Sequence, residues 1–251
     1  MIKFFRKIRQ NLLMENKTGK YFKYAIGEIV LVVIGILIAL QINNWNQNRL
    51  KKIQVNTYLK SITTDLKSDI SLYQLSIDTY EKHIENISQV LSNSEYKQLK
   101  VDSIYTLITR TWGTNLIKTQ TYEKIKSTGL QDILGTVEID NAVNDYYGES
   151  TTHFDYYVNW NAEMTNRDDL FWNYADNFES GILERVNSTS IPYQQDSIKR
   201  KEELVQLIES TLGRNYLKNA LSRDVYGIRI IENFKSKADN LVELIEKQID
   251  K

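Results

Sequence analysis

The sequence predicts an all-α protein: one N-terminal transmembrane helix continuing into an extracytoplasmic bundle of long antiparallel helices, with short helices at its distal tip. Three observations predict it. The stretch Ala25 to Ile42, AIGEIVLVVIGILIALQI, is interrupted only by Glu28 and Gln41, and about 18 such residues cross a bilayer as a helix. Beyond it, apolar residues recur with helical spacing to the end of the chain. Composition agrees, with a single proline, few glycines and about a quarter of the residues charged.

The domain organisation follows: residues 1–24 a basic amphipathic head, 25–42 the transmembrane helix, 43–251 an extracytoplasmic helical domain. A soluble core helix that is apolar on every face for five turns is rare. A cleaved signal peptide would have a shorter apolar region followed by a small-x-small site, whereas this run ends Ala39-Leu40-Gln41-Ile42-Asn43. The segment therefore reads as an uncleaved anchor. Residues 1–24 hold Lys3, Arg6, Lys7, Arg9, Lys17, Lys20 and Lys23 against Glu15, which places the N-terminus in the cytoplasm. Arg49, Lys51 and Lys52 lie on the other flank and soften that bias. The chain is neutral overall, so residues 43–251 carry −5 once the +6 head and Glu28 are set aside. That mild acidity argues against nucleic acid as a partner. In the head, Phe5, Ile8 and Leu12 fall on one helical face with Arg6, Lys7 and Arg9 off it. Such a helix either lies among lipid headgroups or only supplies topology charge.

Within the anchor, Gly27, Gly35 and Ala39 form a small-residue stripe, and Gly35-xxx-Ala39 is a small-xxx-small pair suited to close helix packing. Glu28 lies beside that stripe. A carboxylate in hydrocarbon is costly and marks a function or a partner, although Glu28 is about one turn inside the edge and within reach of headgroups or of Lys20 and Lys23. These four residues are the candidate membrane-packing site.

Residues 1–49, with FFRKIRQ and then YAIGEIVLVVIGILIALQINNWNQNR, resemble the N-terminal region of a bacterial family of uncharacterised single-pass membrane proteins of Gram-negative species, a domain of unknown function. The likeness includes Gly27-Glu28, Gly35 and the Asn43-Asn44-Trp45-Asn46 exit. Later it is carried by patches such as YEKIKSTG (Tyr122 to Gly129) and Tyr146-Tyr147. Gln47 stands where an acid is expected. The resemblance implies an inner-membrane protein with a periplasmic helical domain, and it implies no activity.

After the polar exit with Trp45 at the interface, apolar residues fall at Val55, Leu59, Ile62, Leu66, Ile70, Tyr73, Ile77, Tyr80, Ile84, Ile87 and Leu91, a heptad stripe with one stutter. No glycine or proline interrupts residues 39–91, so the anchor is expected to run on as one helix, lifting the chain roughly 65 Å. Asp102 is expected to cap a helix over 103–112, and Thr121 one over 122–127 with Gly129 at C′. Residues 130–135 read as a turn or short helix, and 135–139 as a weak strand candidate. A second long helix is expected from Asp140 to about Leu183, antiparallel to the first. Residues 185–195, with Pro192, read as a loop. A helix over 198–212 breaking at Gly213 and a last long helix from Asn215 complete the chain. That last helix turns Leu217, Leu221, Val225, Ile228, Ile231 and Phe234 inward.

Catalytic groups are sparse. There is no cysteine, hence no disulfide and no thiolate chemistry. His83 lies off the apolar stripe, which predicts a solvated side chain. His153 has Glu149 at i−4, a pair that could ligate a metal, but helix-surface hydrogen bonding is the expected role. The sequence holds no G-x-S-x-G, P-loop, dinucleotide fingerprint or H-E-x-x-H. No cofactor and no metal site is expected. Ten aromatics fall between Tyr146 and Phe178, interleaved with acids. Tyr147, Tyr156 and Trp172 are off the inward stripe. They are candidate partner or ligand residues if exposed, and core if several helices surround them.

The expected function is a non-enzymatic interaction or scaffold module of the bacterial envelope. Its partners would be the lipid bilayer and either a second copy or another membrane or envelope protein. The alternative is a periplasmic ligand-sensing module working through a membrane partner, because a head of about 24 residues is too short for an output domain.

Overall fold

The computed structural model describes residues 14, 18–109, 117–129, 135–181 and 192–249. Among these the secondary structure is helical. Helix α1 spans Thr18–Ser92 as a single element of 75 residues. A short 3₁₀ turn, Glu95–Gln98, leads to α2, Val101–Ile108. Helices α3, Gln120–Ser127, α4, Val137–Tyr147, α5, Glu149–Asn173, α6, Ser197–Glu209, and α7, Thr211–Ile249, follow. The all-α class read from sequence is the class observed.

The chain forms two compact units, residues 1–56 and 57–251. In the first, α1 holds an apolar stretch near the N-terminus with a mean hydropathy of 2.6 and none of it buried. By length and composition it can cross a membrane.

The second unit is built around one face of α1. Along it Leu59, Ile62, Leu66, Tyr73, Ile77, Tyr80, Ile87 and Val90 are buried. On the solvent side, Ser61, Thr64, Ser71, Ser76 and Thr79 turn their hydroxyls back to the carbonyl four residues earlier. Helix α7 runs antiparallel to α1, because Lys67 meets Glu246, His83 meets Asp224 and Arg214 reaches the Leu91 carbonyl. Helix α5 runs the other way. Tyr73 packs on Phe154, and Tyr80 bonds Tyr157 and Asn161. The numbers rise together, so α5 is parallel to α1, not antiparallel as expected. It is α7 that opposes both: Phe154 packs on Phe234, Tyr157 on Tyr226 and Phe171 on Tyr216. A parallel neighbour requires the chain to return along α1 first. It has done so by Lys118, which contacts Ser68 and Asp69.

The short helices are accordingly not all at one end. Helix α2 packs with Ile87, Val90, Trp172, Leu204 and Leu217, whereas α3 lies beside Asp65 through Thr121.

Several boundaries differ from the sequence reading, each for a local reason. Asp102 is not the cap of α2. Lys100 occupies that position, and the Asp102 carboxylate accepts from Arg200 Nη2 at 3.1 Å. Thr121 likewise uses its hydroxyl on Asp65 at 2.5 Å, and Thr119 precedes α3. Gly129 has φ +68 and ends α3 as expected. The weak strand at 135–139 is instead the start of α4, because the Thr136 hydroxyl accepts the Ile139 N–H and caps a helix there. The second long helix is split at Gly148, where a Cβ would collide with the Asn144 carbonyl. It ends at Asn173, and Leu183 is outside the described residues. The break before α7 falls at Ser210, three residues ahead of Gly213, because the Ser210 hydroxyl accepts the Gly213 N–H and starts a new helix. Residues 1–13 and 15–17 of the head, residues 110–116, with Trp112, and residues 130–134 lie outside the described residues, so the readings made there are not addressed.

Candidate functional site

The residues with chemical potential lie in a polar seam through the core of residues 57–251, where α1 meets α4, α5 and α7. It contradicts the simple stripe. The heptad reading put Ile70 and Ile84 inward, but the buried residues are their neighbours Asp69 and His83, 1% and 7% exposed, with the isoleucines half-buried. On α7 the reading put Leu221, Val225 and Ile228 inward. The structure buries Ala220, Arg223, Asp224 and Gly227 there, and Val225 is exposed. Both helices are rotated at the same level, and the reason is mutual. His83 Nδ1 lies 2.5 Å from Asp224 Oδ2, and Asp224 is 0% exposed. A buried charge needs a partner, and each helix supplies the other's.

Next to that pair, Arg223 forms an ion pair with Asp168 of α5. One turn along α1, Tyr80 accepts from Asn161 Nδ2 at 3.0 Å and from Tyr157 at 3.3 Å. Gly227 is what permits this approach, because a Cβ there would collide with the Tyr157 hydroxyl and come within 2.5 Å of the Tyr80 ring.

Three turns further, the seam centres on Asp69. Tyr73 bonds Tyr146 at 3.0 Å, and Tyr146 donates to Asp69 Oδ2 at 3.3 Å. The Lys118 backbone N–H reaches the same oxygen at 3.3 Å. Burial pushes the Asp69 carboxyl up to about 6, against the lowering effect of those two donors. Burial also drives the Tyr73, Tyr146 and Tyr147 phenols well above their ordinary range, so all three remain neutral. Among the described residues, the Asp69 Oδ1 and Tyr147 hydroxyl atoms are buried without a hydrogen-bond partner.

The structure separates the aromatic candidates. Tyr147 and Trp172 are 5% and 2% exposed, so they are core and offer no surface. Tyr147 is held between Tyr122, stacked at 4.8 Å, and the edge of Tyr146. Trp172 packs on Phe171. The cause is that several helices surround them: Trp172 shares a core cluster with α1, α2, α6 and α7, and Tyr147 packs on α3. Tyr156 is 75% exposed and is the surface residue of the three. His83, expected in solvent, is the other correction. His153 is exposed on α5, and the side chain of Glu149 is outside the described residues. No three His, Cys, Asp or Glu side chains gather as a metal site among the described residues. Gly27 and Gly35 have open space where a Cβ would point, Ala39 is exposed, and Glu28 is half-buried.

An open groove of about 730 Å³ lies between the start of α2 and the first turns of α6. Leu99, Val101, Ile198 and Val205 make its apolar lining, and Lys97, Lys100 and Lys201 face Asp102 and Glu202 around it. Two of those charges are already engaged, Lys97 with Glu209 and Asp102 with Arg200. Sequence reasoning did not find the groove, since its walls are about 100 residues apart in the chain.

A family model described as a family of unknown function, DUF6090, matches residues 28–176, more than half of the chain. The chain belongs to that family. The DUF6090 match begins at Glu28 in the apolar segment and extends through α5. It includes Asp69, His83 and the Tyr146-Tyr147 pair, while Asp224 and the rest of α7 fall beyond it. No protein of curated function and no solved structure matches the chain.

Proposed function

We propose that this DUF6090 member is a non-enzymatic single-pass membrane protein of the bacterial envelope, with residues 43–251 outside the cytoplasm as a helical interaction module. One observation carries the reading. The apolar stretch of α1 has none of its surface buried within the chain, and such a surface must be covered by something else, for which a bilayer is the natural solvent. The Lys and Arg excess of residues 1–24 supports the orientation. The partner is a second copy or another envelope protein, met in the membrane through Gly27, Gly35, Ala39 and Glu28 and outside it through surfaces such as Tyr156. Open space beside Gly27 and Gly35 leaves room for a close helix.

A second reading, ligand sensing through a membrane partner, draws on the groove between α2 and α6. Crosslinking in intact cells, followed by purification of the tagged protein from mild detergent and mass spectrometry, tests both. One stoichiometric envelope partner, or self-crosslinks alone, supports an interaction module. Either should weaken in Gly35→Leu. A reporter fused after Lys251 that is active in the cytoplasm would overturn the orientation, and a chain that extracts without detergent would overturn the anchor.

A further inference from the structure

We propose that Asp69 is a proton-operated latch, whose buried carboxyl sets how tightly residues 117–129 are held against α1. The geometry carries this. Asp69 is 1% exposed, and its two oxygens are unequal. Oδ2 takes two long hydrogen bonds, from Tyr146 and from the Lys118 N–H, both at 3.3 Å. Among the described residues, Oδ1 takes none, and the Tyr147 hydroxyl in the same cluster takes none either.

The charged and titratable groups facing the carboxyl give it little support as an anion. From α1 come Asp65, of like charge, and Tyr73. From the segment before α3 comes Lys118, whose ammonium is directed to Ser68 Oγ at 2.7 Å. From α4 come Tyr146 and Tyr147, and α3 adds Tyr122, stacked on Tyr147 with its own hydroxyl on Asn144. Asp155 of α5 acts on Tyr73. Among the described residues, no cationic side chain bonds the carboxylate.

A proton on Oδ1 changes the balance. Oδ2 still accepts from Tyr146 and Lys118, and Oδ1 becomes a donor for the Tyr147 oxygen, directly or through one water. Loss of that proton restores a buried anion with an unpartnered oxygen. Among the described residues, 117–129 meet α1 through Lys118 on Asp69 and Ser68 and Thr121 on Asp65, and Ile117, Tyr122 and Ile125 are buried. Strain at Asp69 therefore falls first on this segment. The folded carboxyl holds its proton more tightly than the unfolded one, so the segment is held best below the ordinary carboxylate range and loosens as pH rises through about 6.

The test is amide hydrogen exchange on the full chain in detergent micelles between pH 5 and 7.5, corrected for intrinsic exchange rates. Protection of residues 117–129 should fall about tenfold as pH rises, while the middle of α7 is unchanged. Asp69→Asn, which mimics the neutral form, should keep the segment protected at both pH values. Tyr147→Phe, which removes the acceptor, should lower protection at pH 5 and leave pH 7.5 unchanged. Equal protection at both pH values in the natural protein, or the same pH dependence in Asp69→Asn, would overturn the proposal. Where Asp69→Asn fails to fold, carbon NMR of the Asp69 carboxyl decides: a midpoint near 6 supports the latch, and one near 4 sinks it.

Discussion

His83 and Asp224 show how a pair can set the rotation of two helices. Neither is interpretable alone, since each is a polar residue beside a better apolar candidate, Ile84 and Val225. Together they form an ion pair or a neutral hydrogen bond across the core, at 2.5 Å. Removing one partner of such a pair leaves the other buried, which typically costs about 3–5 kcal/mol. His83→Ala should therefore lower unfolding free energy in urea by on the order of 3 kcal/mol. The double variant His83→Leu with Asp224→Leu should lose less than the sum of the two single changes. Strict additivity in that cycle would mean the contact is not coupled. The pair was hidden because periodicity weighs residues one at a time. Two polar residues 141 positions apart give no joint signal in one sequence. The same limit hid Asp69, whose partners come from α4 and from Lys118. Tyr147 and Trp172 were ambiguous for a related reason: an aromatic off the main stripe is surface on a helix with one neighbour and core on a helix with several.

At the scale of elements, the sequence was most readable where local chemistry acts alone. α1, α6 and α7 follow from long apolar periods, and Gly129 ends α3 by its positive φ. Asp196 lies just ahead of α6, where its carboxylate accepts the Ile198 and Lys199 N–H groups at 3.0 and 2.9 Å. An N-cap is worth about 1 kcal/mol, so Asp196→Ala should reduce stability by that amount, measured by thermal unfolding, and Asp196→Ser should recover most of it. A loss under a few tenths of a kcal/mol would show that tertiary packing alone starts the helix. Boundaries failed where a side chain had two possible uses. Asp102 and Thr121 look like caps, but Arg200 and Asp65 claim their side chains. Ser210, by contrast, takes the capping role ahead of the more conspicuous Gly213.

For the whole molecule, the division at residue 56 separates a stretch that has no burial within the chain from a unit with its own core. Residues 57–251 expressed alone should be soluble, helical by far-ultraviolet circular dichroism, and ordered by the near-ultraviolet signal of the Tyr73, Tyr146 and Trp172 environments. A helical spectrum with no near-ultraviolet signal would show that packing depends on residues 1–56. The class was legible as all-α because every strong period is helical. The direction of α5 was not, since an apolar stripe says which face is inside but nothing about which way the neighbour runs. Only the return of the chain to Asp69 by Lys118 decides that.

The pairing of α1 with α7 has a consequence for how the chain is made. Helix α1 is sealed by α7, which is synthesised long after it. His83 waits for a residue 141 positions later, and Lys67 for one 179 positions later. At about 5–20 residues per second, that is about 7–36 s of synthesis. Throughout it, the aromatic and acidic face of α1 is open while the apolar stretch ahead of it has already been made. A nascent chain in that state is a target for chaperones and proteases, and the completed α7 is what withdraws it from them.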